Sequence, residues 1–371
     1  MLTLTYCKGK HYPALDGLRG LAFLLVFTVH AVTYVQIFRL GWVGVDLFFV
    51  LSGFLITGIL ADSKSDPGYY VNFISRRALR IFPLYYFFIL LVIVILPTLF
   101  PGVFSNNEYY HNHQLWYWFY GSNWLRSFSG DNSNKILHHL WSLSVEEQFY
   151  VFWPLVVMAC TLRRLAVVAF VLILVAIIFR YAGPHLFGFV FPFQYINTLA
   201  RMDSLLIGAL VAIFYRINPA LLIRITMPVL IISALTLVTM IILKKKLGFA
   251  DLTETFTFWD LFFGSVLVIS ISDRPNWLNS CLNTSFFRFF GKYSYGLYVY
   301  HLPIYQLMID KVQGPYHIHF PLDYIVITLL CLLLSTGVAL VSYYCLEKPF
   351  LRLKRYFTGT TEKILQKTAT V

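Results

Sequence analysis

Residues 14–36, Ala14-Leu-Asp-Gly-Leu-Arg19-Gly-Leu-Ala-Phe-Leu-Leu-Val-Phe-Thr-Val-His30-Ala-Val-Thr-Tyr-Val-Gln36, decide the fold class. The run is long and apolar enough to cross the hydrocarbon of a bilayer, which takes roughly 20 residues. It follows Lys8 and Lys10 as a signal peptide would, but it contains Asp16 and Arg19 and no small-residue cleavage pattern precedes the next apolar run, so it is a retained helix.

The rest of the chain repeats the pattern. Of 371 residues, 58% are apolar and only 12% are charged, and the mean hydropathy is +0.70. A water-soluble protein could not bury that much apolar side chain. The expected fold is an all-α, polytopic membrane helix bundle. Ten candidate spans follow from hydropathy, at about 14–36, 42–61, 80–99, 141–161, 164–181, 195–215, 223–243, 256–273, 289–309 and 322–346. Residues 1–350 form one transmembrane domain and 351–371 a short basic tail. With the N-terminus inside, nineteen of the 29 Lys and Arg lie in inner segments and eight, among them Arg180 and Lys244–Lys246, in outer ones. That excess predicts N-in, C-in.

The net charge of +12 fits anionic lipid or an anionic substrate better than nucleic acid, because the basic residues lie in short loops and not on one contiguous domain. Cys7, Cys160, Cys281, Cys331 and Cys345 are scattered, with no C-x-x-C, and imply neither a disulfide framework nor a metal site. The outer connection over 100–140 is rich in Tyr, Trp and His, including Tyr109, Tyr110, His111, His113, Trp116, Trp118 and Trp124. It reads either as an aromatic belt at the headgroups or as a platform for sugar rings.

Ionisable groups inside a bilayer are costly unless paired or wetted, so each one marks a candidate site. Arg19 and His30 are eleven residues apart on the first helix, which separates them by about 20° in azimuth and about 16 Å along the axis. They share a face at two depths, and Asp16, one turn before Arg19, is positioned to pair with it. A buried neutral imidazole is a suitable base for a hydroxyl. Arg76, Arg77 and Arg80 stand at the inner mouth of the third span, with Arg77 and Arg80 on one helical face, where they can fork phosphate oxygens. The string His139-Leu-Trp-Ser-Leu-Ser-Val-Glu146-Glu147-Gln148-Phe-Tyr150 opens the fourth span from outside. One of its two adjacent glutamates is expected to face the interior, where it could orient the His30 ring. Fainter signals are Asp46 and Ser52 in Gly44–Gly53, then Arg201 with Asp203, then His301; each equally suits a polar contact between helices.

Several of these strings occur together in one known pattern. Leu15-Asp-Gly-Leu-Arg19-Gly with His30, Gly41–Ile56, Arg76-Arg77-x-x-Arg80-Ile-Phe-Pro83, Trp141–Tyr150, Tyr293–His301 and Leu346-Glu-Lys-Pro-Phe350 resemble the integral membrane acyltransferase-3 family over nearly the whole chain. The resemblance implies a ten-helix enzyme of the bacterial inner membrane that moves an acetyl group from cytoplasmic acetyl-CoA to a hydroxyl of a surface saccharide, O-antigen foremost and carried on lipid. It implies no metal. Carried over residue by residue, Arg19 and His30 match the family's R-x10-H pair with the histidine as base, Arg77 and Arg80 match its R-x-x-R element, and Glu146 matches the glutamate of its fourth-helix motif. Many relatives add a periplasmic SGNH hydrolase-like domain, which is not expected in this chain. The rival class is a transporter or flippase for an anionic or lipid-linked saccharide, in which Arg19, His30, Asp46, Arg201 and Asp203 would line a relay path.

Overall fold

A computed structural model describes residues 3–6, 12–32, 35–100, 108–130, 135–247, 253–273, 276–309 and 321–357. Ten long helices occur among them: α1 Pro13–Ala31, α2 Val43–Ser63, α3 Tyr69–Leu90, α4 Leu140–Ala159, α5 Leu162–Phe187, α6 Thr198–Ile217, α7 Pro219–Leu247, α8 Phe256–Ser270, α9 Ser285–Met308 and α10 Pro321–Ser342. Each overlaps one of the ten hydropathy spans, and no strand is present among the described residues. Seven helical stretches are long and apolar enough to cross a membrane. Helices α4, α8 and α9 fall short of that measure; α8 has only 15 residues, and α9 carries Arg288, Lys292 and His301. The chain is a multi-pass, all-α membrane bundle.

The core is made where helices approach closely. A methyl group on Gly53 would lie 1.8 Å from the Leu205 carbonyl oxygen, and one on Gly208 would lie 2.0 Å from that of Val50. Only residues without a side chain let α2 and α6 touch backbone to backbone, the device by which membrane helices associate without a hydrophobic drive. The same holds between α1 and α9, where Gly20 faces Phe287 and Gly291 faces Asp16.

Hydrogen bonds between chain segments define two opposite faces. On the first, Tyr215 at the end of α6 donates to the Thr5 carbonyl, Arg216 pairs with Asp62 at the end of α2, and Lys64 donates to the Cys160 carbonyl after α4. On the second, Thr328 of α10 donates to the carbonyl of Ala31 at the end of α1, and Asn123 donates to Thr198 at the start of α6. Arg19 lies toward the first face and His30 toward the second.

Four boundaries differ from the hydropathy reading. Helix α1 stops at Ala31, because Val32 leaves the helical region at φ −119° and further β-branched residues follow it. His30 therefore sits in the last turn and not in mid-span. Helix α3 begins at Tyr69, so Arg76, Arg77 and Arg80 are on the helix itself, their stems lying along it. Helix α5 runs to Phe187 and contains Arg180, which is buried and not in an outer loop. The expected tail from 351 continues as helical turns through Phe357, and its last turn packs on α3. Two of the long helices widen into π turns at Leu91–Ile95 and Tyr343–Glu347. Pro97 and Pro349 stand four residues beyond Ile93 and Cys345, and a proline removes the helical hydrogen bond and crowds the carbonyl at that distance. The Lys244–Lys246 side chains, Lys8 and Lys10, and residues 358–371 lie outside what the structure describes.

Candidate active site

Two cavities stand nearly end to end inside the bundle. The first, about 110 Å³, is lined by Arg19, Arg77, Arg80, Ser52, Glu146, Tyr150, Ser142, Ser294, Tyr295 and Tyr298 with an apolar wall from α2. The second, about 630 Å³, is lined by His30, Trp42, Arg126, His138, His139, Trp141, Gln194, Tyr195, Phe256 and Tyr298 with Val26, Val29 and Val45. Val45 and Tyr298 belong to both linings and form the partition between them.

The first cavity gathers guanidinium groups. Arg19 pairs with Asp16 at 3.1 Å across one helical turn, as its spacing requires. The Arg77 guanidinium is held over the Phe73 and Tyr150 rings, 5.7 Å from each centroid. The Tyr150 hydroxyl lies 2.5 Å from Ser52 Oγ, and both hydrogen-bond Glu146. Three guanidinium groups from two helices thus face a single glutamate and leave donors for a further anion. Arg76 is not in this lining.

In the second cavity His30 Nδ1 is 2.9 Å from the Val26 carbonyl oxygen. A carbonyl only accepts, so Nδ1 carries the proton and Nε2 presents a lone pair. That is the state a general base needs. The structure does not bring Glu146 to His30: the glutamate lies across the partition among arginines, and the adjacent imidazoles are His301, with ring centroids 5.2 Å away, and His139, 5.6 Å beyond His301. The Tyr298 hydroxyl lies 2.6 Å from Ser142 Oγ and donates to the His139 carbonyl at 3.0 Å, which fixes the partition to the start of α4.

The other residues marked in the sequence do different work. Glu147 is also buried, against Tyr85, Tyr86 and Tyr120, so both adjacent glutamates face inward and not one. Gln148 donates to the Tyr120 carbonyl at 2.7 Å and accepts from the Trp124 indole at 3.1 Å. It anchors the aromatic connection, in which Tyr110 and Tyr117 are buried while Trp116 and Phe119 are exposed. Burial pushes the Tyr117 and Tyr120 phenols up, so both remain protonated. Asp46 and Arg201 form a fully buried ion pair, and Asp203 pairs with Arg180 at 2.5 Å. Neither pair lines either of these two cavities. Little in the sequence marked Arg180, which hydropathy put in a loop, or Asp260, a buried acid within electrostatic reach of Arg201 and Asp203. Nor did it mark Tyr298, which stands out only once α9 is seen against α2 and α4.

Residues 12–344 match the family described as an acyltransferase domain. A Bacillus subtilis protein, YrhL, provisionally named a peptidoglycan O-acetyltransferase, is 29% identical over 93% of this chain and 56% of its own length. An O-acetyltransferase of Staphylococcus aureus strain COL, also provisionally named, is 29% identical over 93% of this chain and 58% of its own. The peptidoglycan O-acetyltransferase OatA of Listeria monocytogenes is 27% identical over 84% of this chain and 52% of its own. The chain thus spans little more than half the length of these relatives. No solved structure matches it.

Proposed function

This chain belongs to the acyltransferase-3 family, and from that premise we propose that it is a membrane O-acetyltransferase, moving an acetyl group from acetyl-CoA to a hydroxyl of a cell-envelope saccharide. The observation that carries the reading is the pair of abutting cavities, one presenting guanidinium groups and the other an imidazole lone pair. Coenzyme A carries several phosphate charges, which suit Arg19, Arg77 and Arg80, and its pantetheine arm would pass the Val45–Tyr298 partition toward His30. The acceptor hydroxyl enters the larger chamber. His30 Nε2 takes its proton, the oxygen attacks the thioester carbonyl, the carbon–sulfur bond breaks, and the proton passes on to the sulfur. Holding both substrates in one enclosed path limits hydrolysis.

Sidedness follows from charge. The face where Arg19 opens also collects Lys64, Arg163, Arg164, Arg224, Arg288 and Lys348, so it is cytoplasmic by the positive-inside rule, in a bacterial inner membrane. The sequence resemblance favoured O-antigen, whereas two of the three relatives, those of Bacillus subtilis and Listeria monocytogenes, carry names that point to peptidoglycan. Peptidoglycan is therefore the first acceptor to test and O-antigen the second.

The test follows release of free thiol from acetyl-CoA by detergent-purified protein, with peptidoglycan fragments or O-antigen added. Wild type should release thiol with an acceptor, and His30→Ala should lose about 10²- to 10⁴-fold in rate, the range of general-base catalysis. Acceptor-independent silence of the wild type would overturn the proposal.

A further inference from the structure

We propose that His301 is a positioning residue for His30: its Nε2 lone pair receives the Nε2–H of His30 once that ring has taken the hydroxyl proton. This rests on the reading of His30 as the base. Three buried or half-buried rings meet here from α1, the segment before α4, and α9. Each has one nitrogen committed to a backbone carbonyl: His30 Nδ1 to Val26 at 2.9 Å, His139 Nε2 to Val299 at 3.0 Å and His301 Nδ1 to Tyr298 at 2.7 Å. Each committed nitrogen must carry a proton, so the other three nitrogens are all lone pairs. His139 Nδ1 and His301 Nε2 are buried with no hydrogen-bond partner. Two lone pairs have no proton to share, so neutral rings cannot bond to one another. One added proton changes that.

Among the described residues the ring next to His30 is His301; His139, whose Nδ1 is also a lone pair, makes its ring contact with His301. The titratable and charged groups facing His30 are His301 and Tyr298 from α9, His138 and His139 from the segment before α4, Arg126 from Ser122–Ser129, and Tyr195 from the turn before α6. Among the described residues no carboxylate lines this cavity, and Arg126 is a cation. Nor are any three His, Cys, Asp or Glu side chains among the described residues placed to hold a metal ion. An uncompensated charge in such a site is strongly disfavoured, so an acceptor 5.2 Å away between ring centroids stabilises protonated His30 during transfer. His301 keeps its own Nδ1 proton throughout. The proton taken from the hydroxyl goes to His30 Nε2 and then to the thiolate sulfur, as the oxygen–carbon bond forms and the carbon–sulfur bond breaks.

Two substitutions separate this role from packing. His301→Phe keeps ring bulk without a lone pair, whereas His301→Gln keeps an acceptor oxygen. His301→Phe should lower kcat about 10- to 100-fold, the loss of one hydrogen bond to a charged group, with the donor KM unchanged, and should move the acid limb of kcat/KM to lower pH, because protonated His30 has lost a stabilising partner. His301→Gln should keep most of the rate and the wild-type limb. A packing role gives the opposite order, with Phe above Gln, and would overturn the proposal. Histidine ¹⁵N shifts of the full chain in detergent, titrated without either substrate, supply a readout independent of turnover. The His30 midpoint should fall in His301→Phe; an unmoved midpoint in folded protein sinks the coupling even if acetyl transfer stands. A moved midpoint with a wild type that releases no thiol would retain the coupling and sink the transferase reading.

Discussion

Two groups of buried charges lie a few turns apart in this bundle, and they differ in what they face. Asp46 with Arg201, and Asp203 with Arg180, are paired within the protein at 0–2% side-chain exposure, with Thr257 also donating to Asp203. They tie α2, α5, α6 and α8 together and line neither of the two cavities. Arg19, Arg77 and Arg80 instead surround a cavity with Glu146 as its acid. Both groups look alike in sequence, as ionisable residues in apolar helices. The contrast teaches that intramembrane charge marks a candidate site where it borders a cavity; where guanidinium and carboxylate meet inside packed helices it is scaffold, even with single atoms such as Arg201 Nε and Asp203 Oδ1 left without a hydrogen bond.

The largest effect expected is on the closed network. Arg201→Met should cost about 3–5 kcal/mol, because it leaves Asp46 buried and unpaired. Thermal unfolding in detergent followed by circular dichroism would measure it. Adding Asp46→Leu should recover most of that loss, since a buried pair replaced by apolar residues is close to neutral. A double variant as unstable as the single one would show that the pair does more than hold helices together.

The open cavity should respond the other way. Arg77→Ala with Arg80→Ala should weaken acetyl-CoA binding about 10- to 100-fold, the loss of one or two charge-assisted hydrogen bonds, with little change in melting temperature. Equilibrium binding of acetyl-CoA to detergent-purified protein checks it. Intact binding by a folded double variant would remove the donor role from this cavity and, with it, the distinction between the two regions.

Hydropathy made the all-α membrane bundle legible, because a membrane span advertises itself by length. Helix spacing also predicted the Arg19–Asp16 pair, a local contact of three residues. The division of the polar residues among structural network, arginine cavity and histidine chamber was not legible, because it depends on which of ten helices touch. Glu146 illustrates this. It stands seven residues, about two turns, beyond His139 and so on nearly the same side of the helix; sequence reasoning gave it to His30, yet at its depth it meets Ser52 of α2 and Arg77 of α3, while His139 meets α9. His301 and Tyr298 differ by three positions on α9 and so share a face, but only the packed bundle shows that one meets the histidines and the other the partition.

The partition itself gives the smallest expected effect. Tyr298→Phe leaves the ring between the cavities and removes only the hydroxyl that lies 2.6 Å from Ser142 and 3.0 Å from the His139 carbonyl. The stability loss should be about 1 kcal/mol, the net worth of an ordinary hydrogen bond. If the ring separates donor from water, an unlatched ring should let acetyl-CoA hydrolyse without acceptor, read as thiol release in a saccharide-free assay. The rise should be modest, because Val45 and the edge-to-face contact with Phe48 at 6.0 Å still hold the ring. Wild-type hydrolysis in a Tyr298→Phe protein of normal stability would mean that the hydroxyl latch does not govern passage between the two chambers, and would shift that role to the apolar contacts alone.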